Sequence, residues 1–199
     1  MKILDYIKQE KIYGIIREDN PEKAYELARA YLEGGIKFIE LNCPIEVTKK
    51  VSVLDNAIIA QGGIITTYQA HLALKSGATI ISSPIFQTNL VRFASCYKAF
   101  LIPSVTTPNE AYSAWRARMP LIKIYPVAEM GGVEYIQDIS FNEICDKMAI
   151  STTSQKIIIY KKVCIKSNEL ILTEEEKKED EAPKKLVKKY PPKISHSPK

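Results

Sequence analysis

Between residues 11 and 125 the chain repeats one unit: a short β-branched run, a polar or glycine-bearing break, then a stretch with helical spacing. The strand-like runs are "KIYGII", "IKFIELN", "NAIIAQGG", "TIISS", "FLIPS" and "LIKIYP". Their composition suits a pleated, buried surface. Between them fall "EDNPEKAYELARAYLEGG", "IEVTKKVSVLD", "TTYQAHLALKSGA", "TNLVRFASCYKA" and "TPNEAYSAWRAR", which read as helices. Asn20 and Thr107 are expected N-caps, each followed by proline at the first helical position, with Gly34-Gly35 and Gly77 as stops. In the first of these helices Ala24, Leu27, Ala28 and Tyr31 are expected to share the buried face. Trp115, Tyr112 and Phe93 are expected to fill gaps between helices and sheet.

Strands that alternate with helical crossovers make a parallel sheet. Six such strands fit an open doubly wound sheet or most of an eight-stranded barrel. The two differ in where polar residues gather. An open sheet needs phosphate-binding glycines after its first strand, but "REDN" follows "YGII" here. The predicted strands instead end in Glu40, Gln61-Gly62-Gly63, Ser82-Ser83 and Ser104, the end that lines the active-site face of a barrel. The sequence therefore favours the barrel.

Two charged residues stand out against this apolar background. Lys123 lies between isoleucines in "LIKIYP", and Glu40 closes the apolar run of "IKFIELN". A lysine is seldom buried without a partner or a task, and desolvation favours the free amine that a Schiff-base nucleophile needs. A carboxylate at another strand end could move protons. The alternative reading leaves both at strand edges, with Lys123 snorkelling to water. As a pair in one barrel mouth they form a site candidate.

Composition excludes several other classes. Residues 1–132 carry 15 Lys+Arg against 12 Asp+Glu, and residues 133–199 carry 13 against 11, so no nucleic-acid partner is expected. No apolar run is long enough for a membrane span, and "MKILDYIKQEK" lacks the apolar stretch of a signal peptide; a cytoplasmic protein is expected. Cys43, Cys96, Cys145 and Cys164 show no CxxC spacing, so neither a metal site nor a disulfide framework is indicated. His71 falls in a helix and reads as structural, and His196 in the tail.

After Gly132 the texture changes, and no glycine follows. "VEYIQDISFNEICDKM" reads as partly helical, while "KIIIYKKVCI" and "NELIL" read as strands. From Thr173 the charged, proline-bearing segment "TEEEKKEDEAPKKLVKKYPPKISHSPK" reads as a disordered tail. The expected organisation is a β/α domain over 1–172 and a tail over 173–199.

"GIIREDNPEKAYELARAYLEGGIKFIELN", "SVTTPNEAYSAW" and "IKIYPVAEMGGVEYI" occur in this order. Together they resemble the bacterial aldolases that cleave 2-keto-3-deoxy-6-phosphogluconate (KDPG) or 4-hydroxy-2-oxoglutarate (KHG), over about residues 11–138. The most specific piece joins Lys123, Ile124, Tyr125 and Pro126 to Gly131-Gly132. The resemblance implies an α/β fold of the (β/α)8 TIM-barrel type, commonly a homotrimer, with class I chemistry that uses no cofactor and no metal. Lys123 would form an imine with a small-molecule keto acid substrate and Glu40 would move protons. Tyr125 and Pro126 would flank the imine, and Ser83 and Pro84 would shape the pocket floor.

The departures from the family pattern are as informative. Where the family has an arginine that holds an anionic substrate, this chain has Pro44; where it has a carboxylate-binding threonine after the third strand, this chain has Gly63, beside Gly62. Thr66 could take over only with a backbone shift. Arg17 is the nearby cation that could bind a carboxylate. The family's glycine turns after its last two strands, which cradle phosphate through backbone N–H groups, correspond at most to "AISTTSQK", with Thr153 and Ser154 at the glycine positions. The barrel is therefore expected to be incomplete or degenerate in its last two β/α units, and an unphosphorylated substrate is favoured. A catalytically impaired barrel acting as a binding or assembly module stays open as the alternative, as does a change of reading frame after Gly132.

Overall fold

The β/α alternation folds as six consecutive parallel strands with their crossover helices. In a computed structural model the described residues are 3–10, 12–132, 135–136, 148–150 and 158–159. They belong to the first of two units of the chain, Met1–Cys164, and the second, Ile165–Lys199, lies outside them. The elements run α1 (Ile3–Glu10), β1 (Ile12–Ile16), α2 (Pro21–Glu33), β2 (Phe38–Leu41), α3 (Ile45–Val51), β3 (Ile58–Gln61) and α4 (Thr67–Lys75). There follow β4 (Ile80–Ser83), α5 (Thr88–Tyr97), β5 (Phe100–Val105), α6 (Pro108–Arg116) and β6 (Ile122–Ile124). A 3-10 turn at Ala128–Met130 precedes β7 (Met148–Ile150) and β8 (Ile158–Ile159).

The helices start where the sequence places their caps. The Asn20 side chain accepts from the N–H groups of Glu22 and Lys23, with Pro21 in the first turn. Thr107 and Glu110 form a reciprocal capping box on α6, as Thr66 and Gln69 do on α4. Gly77, at φ +95°, ends the α4 segment. Three of the helices, α2, α4 and α6, meet the sheet through alanine: Ala24, Ala28, Ala70, Ala73, Ala111 and Ala114 are completely buried.

Such close helix–sheet contact leaves no room for large side chains, which corrects two expectations. Tyr112 is half exposed and stacks on Trp115 at the surface. Leu27 is 48% exposed, because the buried stripe of α2 leans the other way, towards Tyr25 and Leu32, which pack with α3 residues Val47 and Val51 in one cluster.

The strand order is β7-β6-β5-β4-β3-β2-β1-β8. Every pair from β1 to β7 is parallel. β8 runs antiparallel to β1, with Ile12 opposite Ile159 and Tyr13 opposite Ile158. Chain length accounts for this reversal. Seven residues, 151–157, separate β7 from β8, whereas a parallel crossover needs roughly a dozen or more. Among the described residues no ladder joins β7 to β8. Beyond Gly132, "NELIL", the charged tail and all of "VEYIQDISFNEICDKM" except residues 135, 136 and 148 lie outside the described residues.

The sheet is curled. β2 and β6 are four strand spacings apart in its order, about 19 Å if it were flat, yet Lys123 on β6 touches Glu40 on β2. The registers show which residues share the enclosed face: Ile15 pairs with Glu40, Glu40 with Ala60, Ala60 with Ile80, Ser82 with Ile102, and Ser104 with Lys123. Its lower part is one apolar cluster of Tyr13, Ile15, Phe38, Ala60, Ile80, Ile102 and Leu121. Tyr6 and Ile7 of α1 join that cluster, so the N-terminal helix closes the end at which the strands begin. The polar side chains sit at the other end.

The α6 cap generates a stability prediction. Thr107→Ala is expected to cost about 1 kcal/mol. Glu110 accepts from the backbone N–H groups of Thr107 and Thr106 at 2.9 and 2.8 Å, and these bonds hold its carboxyl below the usual carboxylate range. Its contribution is thus complete above that range and is lost as pH falls through the lowered native value. Urea melts of wild type and Glu110→Gln should differ most at about pH 7, above the usual carboxylate range, and the difference should shrink as pH falls below that range.

Candidate active site

β2 is buried on both faces, so the strand period of two decides where each side chain goes. Phe38 and Glu40 face the enclosed interior, while Ile39 and Leu41 pack under helices. On β6 the same alternation turns Lys123 inward between Ile122 and Ile124, both fully buried. On β4 it turns Ser82 inward. Glu40, Ser82 and Lys123 thus come from alternate strands and form one layer, as in a (β/α) barrel.

Within that layer the lysine Nζ lies 3.0 and 3.1 Å from the two carboxylate oxygens of Glu40 and 2.8 Å from Ser82 Oγ. Three N–H bonds of an ammonium group meet three oxygens. Asn42 Nδ2 donates to Glu40 Oε1 at 3.0 Å. The ion pair is almost sealed, with 8% of the lysine side chain and 3% of the glutamate exposed. Gly62 makes this packing possible: a Cβ there would lie 2.0 Å from Asn42 Oδ1 and 3.0 Å from Glu40 Oε1. Ser104, in register with Lys123, is buried, and its hydroxyl has no hydrogen-bond partner among the described residues.

Asn42 and Gly62 also border a cleft of about 480 Å³ whose other lining residues include Arg17, Pro44, Gly63 and Gln69. Arg17 is the one charged side chain in that lining. Pro44 precedes the first turn of α3 and brings no charge. Gly63 has φ +72°, a conformation that L side chains rarely adopt, so a threonine there would require a different turn. The Thr66 hydroxyl accepts from Gln69 N–H as the α4 cap, which commits it to the helix. Cys43, also in the cleft, has its thiol pushed up to about 12 by burial, then by the charges of Asp19 and Glu18; it stays protonated near neutral pH and is no nucleophile.

The other sequence-derived residues scatter around this centre. The Ser83 hydroxyl donates to Ile85 O and accepts from Ile85 N–H, so it shapes the turn after β4 and does not meet Lys123. Pro84 in that turn is exposed. Tyr125 and Pro126, joined by a cis peptide bond, follow Lys123 after Ile124, and Thr106 Oγ1 donates to Tyr125 O at 2.8 Å. His71 packs edge-on against Tyr97, which fits a structural role. Among the described residues no cluster of His, Cys, Asp and Glu could hold a metal, and no helix is long and apolar enough to cross a membrane. Thr153 and Ser154 lie outside the described residues.

Sequence reasoning singled out Lys123 and Glu40 but not Ser82 or Asn42 as their partners. The signal was present. Asn42 is two residues beyond Glu40, and Ser82 two beyond the inward Ile80, so strand alternation aims both at the same space.

Replacing Lys123 by methionine leaves Glu40 buried without its cation. The expected loss is about 3–5 kcal/mol, read from urea denaturation, and Lys123→Met combined with Glu40→Leu should recover most of it. A single-mutant loss below ~1 kcal/mol, the range of exposed pairs, would mean that water screens the pair.

Comparison with known proteins agrees with this geometry. A family model for KDPG and KHG aldolases matches residues 3–149. The 2-dehydro-3-deoxy-phosphogluconate aldolase of Treponema pallidum is 23% identical over 65% of this chain and 64% of its own length. That of Haemophilus influenzae is 25% identical over 68% and 66%. The chain thus spans just under two thirds of the length of these curated relatives. Among solved structures, the 2-keto-3-deoxy-6-phosphogluconate aldolase of Zymomonas mobilis superposes with a TM-score of 0.67 at 18% identity, covering 77% of this chain and 75% of that one. The KDPG aldolase of Legionella pneumophila, solved with pyruvate captured as a covalent carbinolamine intermediate, gives a TM-score of 0.61 at 27% identity over 71% and 70%. By its matched length and its fold, the chain belongs to the KDPG and KHG aldolase family.

Proposed function

We propose that the chain is a class I aldolase that cleaves a small 2-keto acid to pyruvate and an aldehyde through an imine at Lys123. The observation that carries this reading is a primary amine in direct contact with a carboxylate at the polar end of an otherwise apolar interior. Glu40 takes a proton from the lysine ammonium, and the freed nitrogen lone pair attacks the ketone carbon. The C=O electrons move to oxygen, which is protonated and leaves as water. As Glu40 takes the proton of the β-hydroxyl, its O–H electrons form the aldehyde C=O, the bond between the α and β carbons breaks, and its electrons flow into the protonated imine to leave an enamine. Protonation at carbon and hydrolysis release pyruvate and restore the amine, with Glu40 moving the protons.

Arg17 is the cleft's charge for the substrate carboxylate, beside Gly62 and Gly63, and Tyr125 and Pro126 flank the imine. Ser83 and Pro84 contribute only the turn after β4. With Thr153 and Ser154 at the positions of the family's first phosphate-binding glycines, an unphosphorylated substrate resembling 4-hydroxy-2-oxoglutarate suits the chain better than a phosphorylated one. The enzyme works in the cytoplasm as a homotrimer, on a domain of residues 1–172 with a solvated tail, and needs no metal or organic cofactor. The pyruvate carbinolamine held by the Legionella pneumophila relative supports the covalent step.

A second reading, a non-catalytic binding or assembly module, is favoured by one specific observation. Pro44 and Gly63 replace two anion contacts of the family pattern, and charge-assisted hydrogen bonds are worth roughly 1.5–3 kcal/mol each.

Borohydride trapping with pyruvate, followed by intact mass and peptide mapping, separates the two. The aldolase should gain one reduced pyruvate on Lys123, and Lys123→Met none. A folded wild-type sample that gains no adduct excludes the aldolase, and Lys123 is then a relic.

A further inference from the structure

We infer that Ser82 holds the single N–H of the imine and thereby frees Glu40 to move protons at the substrate. The inference rests on the aldolase reading above and names a residue which that reading does not use. As an ammonium, Nζ has three N–H bonds and meets three oxygens, two on Glu40 and one on Ser82. A protonated imine has two bonds to the substrate carbon, one to the lysine Cε and one to hydrogen. Two of the three hydrogen bonds must therefore disappear in the covalent intermediate, and one remains.

Which one remains decides whether Glu40 can work. If the imine N–H stays on Glu40, the carboxylate is tied to nitrogen while it must exchange protons with the departing oxygen and with the enamine carbon. If the N–H stays on Ser82, the new C=N bond replaces the hydrogens that pointed at Glu40. The substrate carbon then sits against the carboxylate, which is where proton transfer needs it. Ser82 Oγ is built for this role: it lies 2.8 Å from Nζ, the shortest of the three contacts, and it is 1% exposed. A hydroxyl oxygen can accept one N–H throughout the cycle without itself changing charge.

The atoms balance at each stage. The first proton goes from the ammonium to Glu40 and then to the ketone oxygen. The second leaves nitrogen through Glu40 as the carbinolamine oxygen departs as water. The third stays on nitrogen, donated to Ser82. When the enamine forms, the C3 proton of pyruvate passes to Glu40 and its electron pair moves through C=C–N to neutralise the iminium nitrogen.

The readout is exchange of the pyruvate methyl protons in D2O, followed by NMR, beside borohydride trapping on the same samples. Wild type is expected to trap pyruvate and to exchange. Ser82→Ala should still trap, with exchange slowed about tenfold relative to trapping, because the imine N–H then turns onto Glu40. Ser82→Cys, of similar size but a weak acceptor, should behave like alanine and guards against a packing effect. Ser82→Thr, which keeps the hydroxyl, should restore exchange. Wild-type exchange in both Ser82→Ala and Ser82→Cys overturns the role of Ser82 and leaves the aldolase standing. Equal losses of trapping and exchange, unrescued by Ser82→Thr, also overturn it. A wild type that neither traps nor exchanges overturns the aldolase reading and this inference with it.

Discussion

The contact between Lys123 and Glu40 sets the terms for the rest of the molecule. Moving either ion out of water costs several kcal/mol, and the pair alone does not reliably repay this. The surroundings make up the difference. Asn42 and Ser82 occupy further hydrogen-bonding positions of the two ions. Beneath them lie stacked apolar side chains such as Phe38, Ile80 and Leu121, each worth about 1.5–3 kcal/mol when fully buried. Helix α1 completes that stack at the far end. The apolar part of the interior thus stabilises a curled sheet whose mouth can hold two charges.

Much of this was legible in the sequence because it depends on short-range rules. The strand runs, the Asn20 and Thr107 caps and the glycine stops use the local chemistry of a few residues. The sequence was less informative where packing distance decides. Leu27 satisfies the helical spacing of α2 and is still half exposed, since α2 turns its stripe towards α3. Tyr112 is kept off the sheet because Ala111 and Ala114 bring α6 too close. The partners of Lys123 were hidden for another reason: Ser82 comes from a distant strand, and only the curl of the sheet makes it a neighbour.

Gly62 and Gly63 show how two adjacent glycines serve different physical needs. Gly62 lacks a side chain because Asn42 and Glu40 already fill the space. Gly63 takes a backbone conformation that side chains avoid, with open space around it. The first glycine is therefore tied to the charged centre and the second to the shape of the cleft. A side chain at position 63 would alter the shape of the cleft, but leave the Lys123–Glu40 contact in place.

The same separation explains how a chain with an altered last part can keep an intact reactive centre. Glu40, Ser82 and Lys123 come from β2, β4 and β6, all complete by Ile124, and strand alternation together with the curl of the sheet brings the three groups together. β8, reversed against β1, pairs at Ile12 and Tyr13, at the opposite end of β1 from the cleft. Its reversal therefore touches the apolar end of the interior and not the polar one. In the proposed mechanism the covalent step depends on residues whose positions are fixed early in the chain. Recognition of the remote end of the substrate depends, in this family's pattern, on turns that come later. Under the proposed aldolase mechanism, sequence change after Gly132 would redefine which aldehyde fragment is accepted without displacing Lys123, Glu40 or Ser82.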